Sequence, residues 1–469
     1  MTCDYRKAAL LGVLVVISFP GLLHAQDLQA HQNTRPTIHS DRWQEDWSAL
    51  ADPDLRTQPL DLLKYVPLSP WDPESYLSFG VTLRERFESN DAPAFGTSGL
   101  EGDEYLLQRL QFHVDLHLFD TWQVFTQFED VRAPGKEIMG PADENELDLR
   151  IAFLGYKQTF DEGTLLARLG RQEIAFDLQR FVSSRDGPNV RQAFDAFWAE
   201  WDATPWRVKG FISQPVQYRD VEPFDDISND NIRFGALRVE HDIEDSTLSG
   251  YYALYHRRNA VFLDATGDEE RHAIDARLSG RGSGFDWDAE AMGQFGTVGS
   301  KDIRAWAAGT RFGYTFDGLQ WKPRFGLQLD AASGDSRAGD ETVGTFNGLF
   351  ANGSYFSLAG YTAYANLLHV KPSVTVYPTE KLSLTGAVGL QWRQTTADAV
   401  YVSPNIPIAG TSGKGDRWTG YYAQLRMDYA VTPNLSAAAE FVHFDVGESL
   451  RRAGGHDSDY FGAELKLAW

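Results

Sequence analysis

The chain has 469 residues, a formal net charge of -23, 13% aromatic residues and 42 glycines. Its mean hydropathy is -0.37, and beyond the N-terminus no window approaches 18 consecutive apolar residues, which excludes a helical membrane protein. The one cysteine is Cys3, so no lipoprotein anchor is expected further along the chain.

The first 25 residues have the pattern of a secretory signal peptide. Arg6 and Lys7 form a short basic region, and residues 8–19 are an apolar run too short to span a bilayer. A cleavage site follows at Ala25. We therefore expect residues 1–25 to be removed, and the product to reside in the periplasm, the outer membrane or the exterior.

The next stretch, residues 26–74, shows no strand alternation and contains several prolines and tryptophans. We interpret it as a periplasmic N-terminal leader with a short helix near residues 45–50. From Ser75 to the end the pattern changes, because apolar and polar residues alternate in segments of about ten residues. The clearest segments are 75–88, 106–118, 147–153, 285–295, 321–329, 382–392, 421–429, 435–441 and 459–469.

The connections between these segments alternate in length. Short turns are predicted near residues 119–120, 161–163, 204–205, 244–245, 282–283, 317–318, 378–380 and 432–434. Long polar connections are predicted at 89–103, 134–146, 177–190, 216–230, 259–268, 334–360, 397–416 and 447–456, with a short exception at 297–301. Transmembrane barrels have short periplasmic turns and long outer loops.

These patterns predict an all-β fold, a single antiparallel transmembrane β-barrel of about 18 strands over residues 75–469. A soluble sandwich is the alternative, but it predicts neither the alternating loop lengths nor so many consecutive hairpins. The segment at 459–469 would be the closing strand, paired with the strand at 75–88. Its Glu464 and Lys466 would then lie beside Arg84 and Arg86.

Polar positions of a barrel strand face the lumen, so many arginines are expected inside, together with a set of acids. One interpretation is a structural network in which arginine and aspartate side chains pair across neighbouring strands. The other is that a subset is unpaired and attracts anions, as basic side chains do in anion pores.

The most distinctive segment runs from Leu169 to Asp195 and contains Gly170-Arg171-Gln172-Glu173, the run 185–191 (RDGPNVR) and Phe194-Asp195. It resembles the alginate export family of outer-membrane proteins. The resemblance extends to residues 45–47, 61 and 64–65, to the first strand at 83–88, and to residues 346–350 and 355–356.

The resemblance implies an 18-stranded monomeric barrel with an arginine-rich constriction that passes a polyuronate, alongside a periplasmic scaffold protein. Arginine holds carboxylates bidentately, so staggered sites would let such a chain slide. The candidate pore-lining, substrate-binding residues are Arg84, Arg86, Arg109, Arg150, Arg168, Arg171, Arg185, Arg191, Arg324, Lys371 and Arg393. No cofactor or nucleic-acid partner is expected, and the environment would be outer-membrane lipid and lipopolysaccharide.

Three alternatives remain at this point. A barrel hydrolase is not favoured, because no Ser/His/Asp grouping, HExxH or P-loop motif is present, and His113 and His117 alone make a weak metal site. An uptake porin for small carboxylates or sugar acids shares the fold and the basic lumen. An adhesive barrel with a plugged lumen is the third, and the loop at 334–360 or the leader could gate the pore.

Overall fold

The computed structural model describes residues 34–469, and the predicted signal peptide lies outside this range. Eighteen antiparallel strands form one closed barrel, as the alternation predicts. In chain order, β1 to β18 are Tyr76–Asn90, Asp103–Leu118, Trp122–Arg132, Asn145–Phe160, Gly163–Gln172, Phe194–Ala203, Trp206–Gln217, Ile232–Ile243, Ser246–Val261, Thr266–Gly282, Phe285–Val298, Lys301–Thr315, Arg324–Ala332, Leu367–Thr379, Leu382–Trp392, Trp418–Ala430, Leu435–Val446 and Ser458–Ala468.

The barrel closes where β18 pairs with β1. Arg84 lies opposite Lys466 and Arg86 lies opposite Glu464, in the register that the inward polar positions require. Closure leaves no unpaired sheet edge at this seam, which is the condition for strands to cross lipid. The predicted closing strand and its charged partners are therefore confirmed.

Side chains alternate between the lumen and the outer wall along each strand. In β1 the buried positions include Thr82, Arg84 and Arg86, while Phe87 is exposed on the outside. Exposed aromatic side chains are concentrated near the strand ends, as in the interfacial girdles of membrane barrels. At the short-turn end they are Phe119, Trp122, Phe160, Trp206, Phe285, Phe316, Trp321, Tyr377 and Tyr429.

The connections fall into two sets at opposite ends of the barrel. Eight turns of two to eight residues mark the periplasmic end. Nine outer connections, L1 to L9, are residues 91–102, 133–144, 173–193, 218–231, 262–265, 299–300, 333–366, 393–417 and 447–457.

The prediction of a long loop at 259–268 is wrong. There β9 and β10 continue past a register shift between Arg257 and Ala260, so only the four residues of L5 remain outside the sheet. Asn259 has a φ of 51° at this shift, a left-handed conformation that asparagine adopts more readily than most residues. The segment is polar because it lies at the rim, not because it leaves the sheet.

The N-terminal segment, residues 34–75, packs at the periplasmic end. It forms short turns of 3-10 helix at Arg42–Gln44, Ser48–Ala51 and Pro53–Leu55 and a one-turn α-helix at Asp61–Lys64. The short helix predicted near residues 45–50 overlaps the 3-10 turn at Ser48–Ala51. A small core of Trp47, Leu50, Tyr65 and Tyr76 joins it to β1.

Arg42 fastens this segment across the closing seam of the barrel. Its guanidinium donates to the carbonyl oxygen of Trp469 at 2.9 Å and to Thr82 Oγ1 at 2.9 Å, and it pairs with Glu45 at 2.6 Å. No helix among residues 34–469 has the length and apolar character needed to cross a membrane.

Candidate functional site

Two outer loops, L3 and L7, fold into the lumen and pack against each other. The backbone of Val182 in L3 forms a parallel bridge with Phe350 in L7, and Ser183 N donates to Phe350 O at 3.0 Å. The apolar faces of the two loops pack on the inner wall from β6 to β13. This cluster includes Phe181, Phe194, Phe234, Phe346, Leu349, Phe350, Tyr355, Phe356 and Tyr364, all nearly fully buried. The aromatic residues of L7 therefore form a plug inside the barrel.

The opposite face of L3 lies on basic side chains from β1 and β2. Arg84 donates to the carbonyl oxygen of Asp186 at 2.9 Å and to Asn189 Oδ1 at 2.8 Å. Arg109 donates to the carbonyls of Asn189 and Pro188, both at 2.7 Å, and to the Asp186 carboxylate at 2.6 Å. Both arginines are thus occupied by the backbone of L3.

Arg86 lies one pleat further along β1. It pairs with Glu88 at 2.6 Å and donates to the carbonyl of Gly187 at 2.5 Å, while Glu464 of β18 lies 3.5 Å away. Glu464 and Asp186 keep substantial exposure, with 25% and 50% of their side chains accessible. Since both project into the barrel interior, open channel space remains between L3 and the β1–β18 seam.

A second group of charges joins L3 to β4 and to the N-terminal segment. Glu173 accepts from Arg150 at 2.9 Å and from Arg191 at 2.6 Å, and all three side chains are buried. Arg191 also lies 3.9 Å from Asp41 and 3.7 Å from Asp186. Buried charges of both signs pair here, although Arg150 Nε and Nη1 and Arg191 Nε have no hydrogen-bond partner among residues 34–469. Arg150 and Arg191 therefore serve first to hold L3 in place.

Arg168 and Arg185 differ from this group, because no ion pair joins either to an acid among residues 34–469. The Arg168 guanidinium stacks on Trp198 at 4.0 Å, with Phe153 and Trp43 nearby. Arg185 in L3 lies 5.5 Å from the Phe350 ring, and its Nε has no hydrogen-bond partner within the described part of the chain. Lys466 of β18, opposite Arg84, likewise forms no ion pair among residues 34–469. These three cations are the most available for an anion in this half of the barrel.

On the other side of the plug lies a cavity of about 410 Å³ in the periplasmic half of the lumen. Arg311 and Lys371 contribute its positive charge, and Tyr355 and Phe356 of L7 roof it. Arg311 donates to the carbonyl of Tyr355 at 3.1 Å and Lys371 to that of Phe356 at 2.7 Å, and neither forms an ion pair within residues 34–469. The lining also contains Glu440, which pairs with Arg426 at 3.1 Å. Its hydroxyl and amide side chains include Gln328, Ser354, Ser357, Ser373, Thr375, Thr385 and Gln424. Arg324 also lines this cavity but pairs with Asp286 at 2.5 Å.

Two predicted pore-lining residues lie elsewhere. Arg171 follows the outward alternation of β5, beside the exposed Leu169, and pairs with Asp195 of β6 at 3.0 Å. Arg393 is buried at the start of L8, where its guanidinium donates to the carbonyl oxygens of Thr396, Asp398, Thr411, Lys414 and Asp416. Neither residue lines the lumen: strand parity places Arg171, which was expected from the family resemblance, on the outer face, and loop carbonyls occupy Arg393.

The residues with metal-binding chemistry are occupied by other contacts. His113 stacks on Phe125, whereas His117 stacks on Tyr76 and pairs with Asp115 at 3.0 Å. Near L4, oxygen atoms of Asp148, Asp225 and Asp226 lie within 4.8 Å of one another. Backbone N–H groups donate to each of these carboxylates, while Asp225 Oδ1 has no hydrogen-bond partner among residues 34–469.

Comparison with known proteins decides the family. The model of the family described as "Alginate export" matches residues 75–464, which is nearly the whole barrel. The chain belongs to the alginate export family. No curated protein has a significantly similar sequence.

Solved structures with the same fold are outer-membrane proteins. The outer membrane protein opdK from Pseudomonas aeruginosa has a TM-score of 0.56 and 12% identity, covering 84% of this chain and 98% of its own. P. aeruginosa OccK2 (OpdF), solved in complex with glucuronate, has a TM-score of 0.55 and 12% identity, covering 84% of this chain and 97% of its own. Acinetobacter baumannii OccAB3 has a TM-score of 0.56 and 11% identity, covering 84% of this chain and 99% of its own. This alginate export family member is accordingly an outer-membrane β-barrel channel.

Within this family member, sequence reasoning missed several residues of the channel. Strand parity places Lys466 inside the barrel, but its position beside Asp186 of L3 depends on contacts between distant parts of the chain. Arg311 of β12 lines the L7 cavity, and no local pattern singles it out. Asn189, which is fully buried, bonds to the carbonyls of Gln108, Arg132 and Asp143 and fixes L3 to the wall. The turn sequence around it was visible, but nothing local shows that this turn lies inside the barrel.

Proposed function

We propose that this channel passes a polyuronate or a closely related acidic polysaccharide out of the cell. The observation that carries the proposal is the basic wall beneath L3, formed by Arg84, Arg86, Arg109 and Lys466, where the three arginines donate to backbone carbonyls of L3. A polyuronate carries one carboxylate per sugar, and guanidinium groups spaced along a wall can exchange such carboxylates one after another. Membership of the alginate export family supports the same substrate class.

Passage of a polymer requires L3 and L7 to shift, because their aromatic cluster fills the middle of the lumen. The arginines that bind L3 carbonyls would then bind substrate carboxylates in their place. A polyanion is therefore expected to compete with L3 for the same guanidinium groups. A periplasmic scaffold protein as partner stays a prediction.

The test is polymer block of single-channel current in planar bilayers. Polyuronate oligomers are expected to interrupt the current of the wild type, and the variants Arg84→Glu, Arg109→Glu and Arg150→Glu should weaken the block at least tenfold. Arg304→Glu is a matched control, since Arg304 lies on the outer wall of β12 with 74% of its side chain exposed. Absence of block by any polyuronate would overturn export and favour the second candidate.

That second candidate is uptake of small sugar acids, favoured by the cavity beneath L7. A volume of about 410 Å³ is in the lower range of small-molecule pockets, and its cations, hydroxyls and amides match a carboxylate with ring hydroxyls. The fold neighbour OccK2 was solved with glucuronate. Under this alternative, Lys371→Met and Arg311→Met reduce glucuronate flux into liposomes, while polyuronate has no effect on current.

A further inference from the structure

The segment of residues 58–73, next to the first strand, has its charges inside and its apolar side chains outside. Leu60, Leu62, Leu63, Leu68 and Trp71 are 42–91% exposed. Asp61 and Lys64 in the same turn are nearly completely buried. The third charged residue of the segment, Asp72, is half-buried, and the remaining exposed residues are Gln58, Pro59, Pro67, Pro70 and Pro73.

Specific contacts fix this inverted orientation. The Asp61 carboxylate accepts two hydrogen bonds from Arg35, at 2.7 and 3.1 Å. Lys64 Nζ lies 5.1 Å from the rings of both Trp47 and Trp469, so the ammonium faces the barrel end. Because Asp61 and Lys64 are held against the protein, the leucines between and beside them must project away from it.

The apolar surface is continuous with the lipid-facing wall. Val66 and Pro67 pair in an antiparallel bridge with Leu77 and Tyr76 at the periplasmic end of β1, and Leu77 points outward there. The neighbouring turn is tied to the same place, since Phe119 N donates to Ser75 Oγ at 3.1 Å. Phe119 and Trp122 of the periplasmic aromatic girdle thus lie next to the segment.

We propose that residues 58–73 form a lipid-immersed collar, with Leu60, Leu62, Leu63, Leu68 and Trp71 in the periplasmic leaflet of the outer membrane. The barrel wall itself has polar side chains inside and apolar side chains outside. Segments that anchor proteins at the membrane interface are rich in tryptophan and leucine. The prolines also suit lipid, because each removes a backbone N–H donor that would need a partner there.

A periplasmic protein is the other possible occupant, but the surface lacks what such an interface uses. Protein interfaces surround their apolar centre with a polar rim, and arginine and tyrosine are enriched in them. The exposed residues of 58–73 provide one amide, Gln58, and no exposed charge. A surface that contacts lipid acyl chains needs no polar rim.

The test uses single-cysteine variants of the full chain in a Cys3→Ser background, labelled with an environment-sensitive fluorophore and reconstituted in phosphatidylethanolamine/phosphatidylglycerol liposomes. Leu62→Cys and Trp71→Cys report on the collar. Glu162→Cys is the matched control, since it is exposed at a periplasmic turn and is polar. Heat-modifiable gel migration establishes that each variant is a folded barrel.

We expect doxyl-labelled lipids to quench the probes at residues 62 and 71 strongly and aqueous iodide to quench them roughly threefold less than the probe at residue 162. Iodide quenching equal to the control would overturn the collar. Probes that are open to iodide in liposomes but shielded in isolated outer membranes would also overturn it, in favour of a protein partner.

Discussion

Replacing Arg109 with alanine is expected to loosen L3 and open the channel. The guanidinium makes three charge-assisted hydrogen bonds to L3, to Asn189 O, Pro188 O and Asp186 Oδ1, at 2.6–2.7 Å. Such bonds contribute about 1.5–3 kcal/mol each when protected from water. The Asp186 carboxylate is half exposed, so water screens its share. We therefore estimate that the closed position of L3 loses about 3 kcal/mol.

A loss of that size raises the population of open L3 on the order of 100-fold. Single-channel recordings of R109A should show more frequent or larger open levels than the wild type. R109K is the control that separates charge from geometry, because lysine keeps the charge but its single nitrogen cannot reproduce the planar fork of Nε, Nη1 and Nη2 that reaches three separate acceptors. It should retain the ion selectivity while still opening more often. If folded R109A has the same open levels and frequencies as the wild type, L3 is not held by this contact.

Three further predictions concern the N-terminal segment, L8 and the plug. Burial and the nearby Arg42 lower the pKa of Lys64 to about 7, so the docked segment holds fewer protons than the released one between about pH 7 and 10.5. Docking should therefore strengthen as the pH rises from 6 to 9, measured as protease resistance, and Lys64→Met should remove this dependence. Arg393→Ala leaves five loop carbonyls without their donor and should lower the melting temperature without altering ion selectivity, since Arg393 lies outside the channel. Phe350→Ala empties the centre of the plug at a cost of about 3–5 kcal/mol and should raise conductance, whereas the exposed Phe461→Ala, on the outer wall, should not.

The sequence predicted the barrel well because its signal is local. The alternation of polar and apolar residues identifies the inner and outer face of each strand. The pairing of Arg84 with Lys466 follows once the first and last strands are known to meet. The same local logic failed at residues 259–268, where polar residues at the rim of β9 and β10 resembled a loop.

The interior was less predictable because its contacts join distant parts of the chain. Val182 and Phe350 are far apart in sequence, and nothing local to L3 or L7 indicates that they meet inside the barrel. Strand parity identified Arg84 and Arg109 as inward, but their acceptors are backbone carbonyls of L3, which carry no sequence signature. For the same reason the composition of L8 could not show that Arg393 is occupied by its own loop.

The most direct test of a basic, anion-passing lumen is the reversal potential of the purified channel in a planar bilayer under a potassium chloride gradient. Despite the net charge of -23, the cations near L3 and beneath L7 should set the local field, because selectivity depends on the constriction and not on the total charge. We predict that the reversal potential of the wild type is shifted from zero toward the chloride equilibrium potential. In Arg84→Glu and Arg109→Glu it should move toward the potassium equilibrium potential. A cation-selective wild-type channel would contradict the account.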